Sequence, residues 1–195
     1  MTAYIEERLA KFQAKLAASD VDGMLISGQR NVYYLTGFWG TAGTVFISEK
    51  RRIFLTDARY TLIAKTTVMG GFDIVETRSP LEEIAKIIAN DGLTRIGFDS
   101  QVTYAEYKAL KATFSGFELR AQDNFLESLR MYKDASEIAI IKKACQISDK
   151  AFEDVLDFIK PGQTTEMDVN HFLDARMRSY GAECASFEFI VASGY

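Results

Sequence analysis

Near the start of the chain, Ile5, Leu9, Phe12 and Leu16 fall four, three and four residues apart, which predicts one apolar face of a helix over residues 5–18. Asp20 to Gly23 breaks that pattern, and Met24-Leu25-Ile26 reads as a short buried strand. Asn31 can cap a helical turn over Val32–Leu35, closed by Thr36-Gly37. Thr44–Ser48 and Arg52–Thr56 flank a charged turn at Glu49–Arg51, the pattern of an antiparallel hairpin. Thr56-Asp57 can cap a helix from Ala58 to about Val68, and Phe72–Val75 reads as the next strand. Ser79-Pro80-Leu81-Glu82 is a capping-box signature with proline at the first helical position, opening a helix that stops at Gly92. Arg95–Phe98 is a strand, Thr103 with Glu106 opens a helix to about Phe114, and Phe117–Arg120 is a last strand.

Six short strands with helices between most of them, one hairpin and short connections imply a mixed α/β sheet in one compact domain over residues 1–130. The pattern changes near Met131. Asp134 and Glu137 form a further capping box, followed by Ile138, Ile141, Cys145, Ser148, Phe152, Val155 and Ile159 at alternating spacings of three and four. This predicts a long amphipathic helix ended by Pro161-Gly162. Thr165 with Asp168 starts another helix carrying Val169, Phe172 and Met177, stopped by Gly181, and Ser186–Val191 reads as a strand. A lone strand has no independent stability, so residues 131–195 read as part of a domain. The stripe through Ile141, Phe152 and Ile159 is expected to be buried by self-association or by packing on the first domain.

Composition narrows the function classes. A net charge of −4 with both signs interspersed, and no basic run, gives nucleic-acid binding no electrostatic support. Cys145 and Cys184 match no Cys-x-x-Cys pattern and read as reduced thiols. No secretory leader and no membrane-spanning run is apparent, so the expected location is the cytoplasm and no membrane partner is expected. His171, the only histidine, has Asp168 and Asp174 three residues to either side and reads as a solvated helix-face residue rather than a ligand. Asp99 and Glu76 lie near strand ends, but the first strand carries no acid to complete a nuclease-type carboxylate cluster.

Arg30-Asn31-Val32-Tyr33-Tyr34-Leu35-Thr36-Gly37-Phe38, Thr56-Asp57-Ala58-Arg59-Tyr60, Ile96-Gly97-Phe98-Asp99 and Gly181–Gly194 occur in an order and at spacings that resemble the proline-specific metallopeptidases of the pita-bread fold. Xaa-Pro dipeptidase (prolidase) and aminopeptidase P are the members it resembles. The resemblance implies a creatinase-like N-terminal domain with a ribonuclease-H-like sheet over residues 1–130, followed over 131–195 by an incomplete α+β pita-bread catalytic domain. It implies cleavage before proline in Xaa-Pro dipeptides or at Xaa-Pro N-termini, by water activated on a divalent metal pair, often manganese. The family's two Asp, one His and two Glu ligands are expected beyond Tyr195. No catalytic residue and no metal ligand is therefore assigned here, and the chain alone is expected to hydrolyse nothing. A homodimer is implied, with this part walling off the active site.

Four residues are substrate-binding candidates. In the family, the loop corresponding to Gly37–Gly43 reaches the partner's active site, so Phe38 and Trp39 are expected to shape the substrate side. The other reading of Trp39 is a cover for its own sheet edge. Phe187 lines, by resemblance, the pocket for the residue before proline; otherwise it is an ordinary core aromatic alternating with Phe189. Arg59 could clamp a substrate carboxylate, or serve as an ion-pair partner beside Asp57. A competing reading of the chain is a non-catalytic binding or assembly module built on the creatinase-like domain.

Overall fold

The computed structural model describes residues 2–194, and the chain divides into two compact units, residues 1–132 and 133–195.

In the first unit, α1 (Thr2–Ala17) leads to β1 (Gly23–Ile26), α2 (Gln29–Thr36), the hairpin β2 (Thr44–Ser48) and β3 (Arg52–Thr56), then α3 (Thr61–Thr67) and β4 (Asp73–Glu76). α4 (Pro80–Asp91), β5 (Arg95–Asp99), α5 (Tyr104–Thr113), β6 (Glu118–Gln122) and α6 (Glu127–Met131) complete it. The six strands form one sheet in the order β4-β3-β2-β1-β5-β6. β2 is antiparallel to both β1 and β3, while the β1–β5, β3–β4 and β5–β6 pairs are parallel. Every strand except β2 therefore points the same way, and the residues that follow β1, β3, β4 and β5 collect along one edge.

The two-residue period of the strands sorts their side chains into two cores. Met24, Ile26, Val45, Ile47 and Phe54 join Ile5, Leu9, Phe12 and Leu16 of α1 on one face. Leu25, Phe46, Ile53, Leu55, Ile96 and Phe98 join Ile84 and Ile88 of α4 and Leu110 of α5 on the other. Burial on both faces explains why the strands read as continuous apolar runs rather than alternating ones. Each such side chain removed from water stabilises the fold by roughly 1.5–3 kcal/mol.

The helix starts differ from the sequence reading in three places. Asn31 does not cap α2: Gly28 holds the N-cap position, the helix begins at Gln29, and Asn31 sits inside it with its side chain turned into a buried polar cluster. Thr56 and Asp57 do not cap α3, whose N-cap position is Tyr60. Asp57 instead accepts the Arg59 N–H at 2.9 Å in a local turn, and its carbonyl accepts from Tyr60 and Thr61. Asp side chains compete for nearby backbone donors in this way. Ser79 does occupy the N-cap position of α4, yet its side chain makes no cap bond. The Thr103–Glu106 box is complete. α6 has no counterpart in the apolar pattern.

The second unit consists of α7 (Ala135–Phe158), α8 (Glu166–Ser179) and an irregular segment. Both helices open with complete capping boxes, Asp134 with Glu137 and Thr165 with Asp168. Phe158 and Phe172 stack with ring centroids 4.2 Å apart, and Asp154 accepts hydrogen bonds from Arg176 Nε at 2.7 Å and from the Tyr180 hydroxyl. The expected strand over residues 186–191 is absent: that segment is irregular, since the described residues offer it no partner to complete a ladder. The expected stripe of α7 is also open, with Val155 and Ala151 buried but Ile138, Ile141, Phe152 and Ile159 exposed.

Candidate functional site

The edge of the sheet at which five strands end is where the chemistry-bearing residues gather. β1 is followed by α2, which packs into the core containing Phe12, whereas neighbouring β5 is followed by α5, which packs into the opposite core. Helices leaving adjacent parallel strands toward opposite faces open a crevice between the strand ends, the place where open α/β sheets bind ligands. A cleft of about 660 Å³ lies here, with Gly28, Asn31, Trp39, Asp99, Glu127 and Arg130 among its lining residues.

Trp39 forms the aromatic wall of this cleft. It is 60% exposed and meets Tyr33 edge to face, with centroids 5.7 Å apart. Three features hold the loop that carries it. Gly37 ends α2 with φ of 76°, a left-handed turn that a side chain would strain. The Phe38 N–H donates to Thr36 Oγ1 at 3.1 Å. The Phe38 ring, 1% exposed, is wedged edge-on against Phe54 and Tyr60. Thus Phe38 lies in the core behind the loop, while the adjacent Trp39 faces outward.

The polar wall is a set of hydrogen bonds centred on Asn31, which is 4% exposed. Its Nδ2 donates to Asp99 Oδ2 at 2.8 Å and to Glu127 Oε1 at 3.2 Å, and its Oδ1 accepts from Arg130 Nη1 at 2.9 Å. Asp99 Oδ1 also accepts the Gln101 N–H at 3.0 Å. An amide can donate and accept at once, which lets one residue join two carboxylates and a guanidinium without burying an unmatched charge. Asn31, Glu127 and Arg130 are not among the site candidates that the sequence singles out; Asn31 is visible there only as a helix cap and as part of the Arg30–Phe38 motif.

Arg59 lines a neighbouring cleft with Thr41, Thr56, Asp57 and Arg78. Its side chain is 72% exposed and its Nε and Nη2 both hold Asp57. That hydrogen-bonded guanidinium holds the Asp57 carboxyl below the usual carboxylate range, and Asp57 in turn raises the guanidinium pKa. The Tyr60 hydroxyl reaches Thr41 across the loop at 3.1 Å. Trp39 and Arg59 therefore stand on the same sheet edge but line different clefts, which share Ser27 and Glu106. In the second unit Phe187 is 74% exposed and lines a separate hollow with Ile147, Met177 and Phe189.

Among the described residues, no three of His, Cys, Asp and Glu come together as a metal-binding group. The described residues do not fit a metal pair.

A family model for the creatinase/prolidase N-terminal domain matches residues 8–132. The chain belongs to that family. A second model, metallopeptidase family M24, matches residues 139–195, so this creatinase/prolidase chain carries the opening segment of a pita-bread metallopeptidase domain behind its N-terminal domain. A peptidase of Bacillus subtilis is 40% identical over 96% of the chain and 53% of its own length. The solved Xaa-Pro dipeptidase from Bacillus anthracis is 36% identical, with a TM-score of 0.86 over 94% of this chain and 51% of that one. The aminopeptidase P structure from Streptococcus thermophilus is 55% identical, with a TM-score of 0.63, over 65% of this chain and 98% of that one. The creatinase/prolidase chain spans about half the length of the curated relatives it matches.

Proposed function

We propose that this chain is the N-terminal portion of a metal-dependent peptidase that hydrolyses the bond before proline, in Xaa-Pro dipeptides or at the N-termini of Xaa-Pro peptides. The observation that carries this reading is the order of two family matches along one chain, a creatinase/prolidase domain followed directly by the start of an M24 metallopeptidase. Relatives named as dipeptidases and aminopeptidases match across both parts, which disfavours a stand-alone binding module.

In this reading residues 1–130 wall off the active site, and residues 131–195 begin the catalytic domain. The divalent metal pair, manganese, is held elsewhere in the longer protein. The enzyme is a cytoplasmic homodimer. No helix among the described residues is long and apolar enough to cross a membrane.

Trp39 supplies an apolar face for the proline ring, a role supported by its exposure and by the rigid mounting of its loop. Phe38 serves that contact from behind, as the wedge beneath Trp39. Arg59 takes a substrate carboxylate through Nη1, which the pair with Asp57 leaves out. Phe187 lines the pocket for the residue before proline, consistent with its exposed ring.

The test is a peptidase assay on the full-length gene product with manganese, using Leu-Pro and a Leu-Pro-initiated tripeptide. Cleavage of one or both, abolished by chelation, is expected, and the preferred substrate separates dipeptidase from aminopeptidase. Intact protein that cleaves neither, with manganese, cobalt or zinc, would falsify the reading.

A further inference from the structure

We infer that Asn31 is a positioning residue that sets how Trp39 is presented at the edge of the sheet. Its consequence for catalysis rests on the peptidase reading above; its structural content does not. Asn31 and Trp39 line the same cleft from opposite ends of α2. The indole is oriented by Tyr33, two residues beyond Asn31 on the same helix. An eight-residue helix has little stability of its own, so its rotation about its axis is set by what its side chains grip.

On the apolar side Val32, Leu35 and Tyr34 are buried. Greasy contacts of this kind tolerate repacking, and a directional hydrogen bond does not. Tyr34 contributes two directional ties, its hydroxyl donating to Leu129 O at 3.4 Å and its carbonyl accepting from Arg8 Nη1 at 3.1 Å, and Asn31 supplies three more through a single side chain. It ties α2 to Asp99 at the end of β5 and to Glu127 and Arg130 of α6, elements far apart in sequence. Without it, α2 keeps its apolar grip and the Tyr34 bonds but loses its ties to Asp99 and to the Glu127 and Arg130 side chains, and with them the register that aims Tyr33 and the edge-on seat of Trp39.

Trp39 is the only tryptophan of the chain, so its near-ultraviolet circular dichroism reports the fixed orientation of one indole. In the 195-residue chain, Asn31→Ala is expected to lose most of that band while far-ultraviolet ellipticity and a cooperative melt persist. Thr103→Ala, which removes a helix cap in α5, serves as a control that lowers stability and leaves the band in place. If Asn31→Ala does not fold, Arg130→Gln removes one contact to Asn31 from a partly exposed side chain, and the band is expected to weaken there.

A folded Asn31→Ala with the band intact overturns the inference. So does an unchanged band in Arg130→Gln, where that variant stands in, or an equal loss in Thr103→Ala. In the full-length peptidase, Asn31→Ala is expected to lower kcat/KM by roughly 10–100-fold, the scale of a small misplacement of a binding group. An unchanged kcat/KM in Trp39→Ala would defeat the substrate role of the loop while leaving the spectroscopic result on Asn31 standing.

Discussion

Tyr33 and Trp39 meet edge to face at 87°, one ring on α2 and the other on the loop that leaves it. The contact couples an exposed indole to a helix anchored in the core, so Trp39 is exposed without being loose. If the indole is a wall for the proline ring, Trp39→Ala in the full-length peptidase should lower kcat/KM about 30-fold, the equivalent of about 2 kcal/mol of lost aromatic contact. Tyr33→Leu should lower it less, in line with the roughly 0.5–1.5 kcal/mol of an aromatic pair. Steady-state kinetics on Leu-Pro measure both. Equal activity in all three proteins would remove the loop from the substrate site.

Phe38 behaves in the opposite way to its neighbour. Its ring centroid lies 4.9 Å from Phe54 and 5.6 Å from Tyr60, and almost none of it reaches solvent. Phe38→Ala should destabilise the first unit by about 3–5 kcal/mol, the usual cost of emptying a buried aromatic site. Trp39→Ala should change the same urea midpoint very little. Comparable midpoints for the two variants would show that the alternation of buried and exposed faces along this loop is wrong.

That alternation marks the boundary of what the sequence makes legible. The strands of the first unit, the Thr103–Glu106, Asp134–Glu137 and Thr165–Asp168 boxes, and the left-handed glycines Gly37 and Gly92 are local signals that the fold respects. Asn31 and Asp57 misled because the same side chains that cap helices also serve tertiary or turn contacts, and only the fold decides which donor is nearer. Phe38 and Trp39 look alike in an apolar pattern, yet the turn at Gly37 sends one inward and the other outward. Glu127 and Arg130 carry no local signature, because their role depends on α6 returning to a helix nearly a hundred residues earlier. The strand expected at Ser186–Val191 failed for a non-local reason: a strand is a property of a pair.

The open face of α7 leads to a prediction about behaviour in solution. Ile141, Phe152 and Leu156 are exposed on a helix whose buried grip comes from Ala151 and Val155. Exposed apolar side chains along one helix face mark surfaces that bind dyes or other chains. Replacing Ile141 and Phe152 with Ser should reduce anilinonaphthalene sulfonate binding and light scattering of the 195-residue chain. Its stability should shift by no more than about 0.5 kcal/mol. Val155→Ala should instead destabilise the helix pair by about 1.5 kcal/mol, two methyl groups at roughly 0.8 kcal/mol each. Scattering that is unchanged in the double variant would show that this face is not what associates.

Asp22 provides a test of the opposite edge of the sheet, where α1 hands over to β1. Burial pushes its carboxyl pKa up, but this is outweighed by the Arg95 side chain together with the backbone N–H groups of Arg95 and Thr94 and the Thr94 hydroxyl, so the net effect is a strong lowering. Its Oδ2 accepts from the Thr94 and Arg95 amides at 3.0 and 2.9 Å, and its Oδ1 accepts from Arg95 Nε at 3.1 Å. A carboxyl whose folded pKa lies below its unfolded value of about 3.9 leaves the unfolded chain binding more protons between the two. Stability from Asp22 is therefore fully present above about pH 5 and drains away as the pH falls through the folded pKa. Asp22→Asn keeps the shape but cannot accept the same set of bonds from a cation and two amides, at a cost on the order of 1–3 kcal/mol at neutral pH. Urea unfolding should show a constant gap between the native chain and Asp22→Asn from pH 7 to about pH 5, and a narrowing gap from there down to pH 3. A gap that stays constant over that range would mean that the carboxylate at this junction is not held in its ionised form by Arg95 and the two amides.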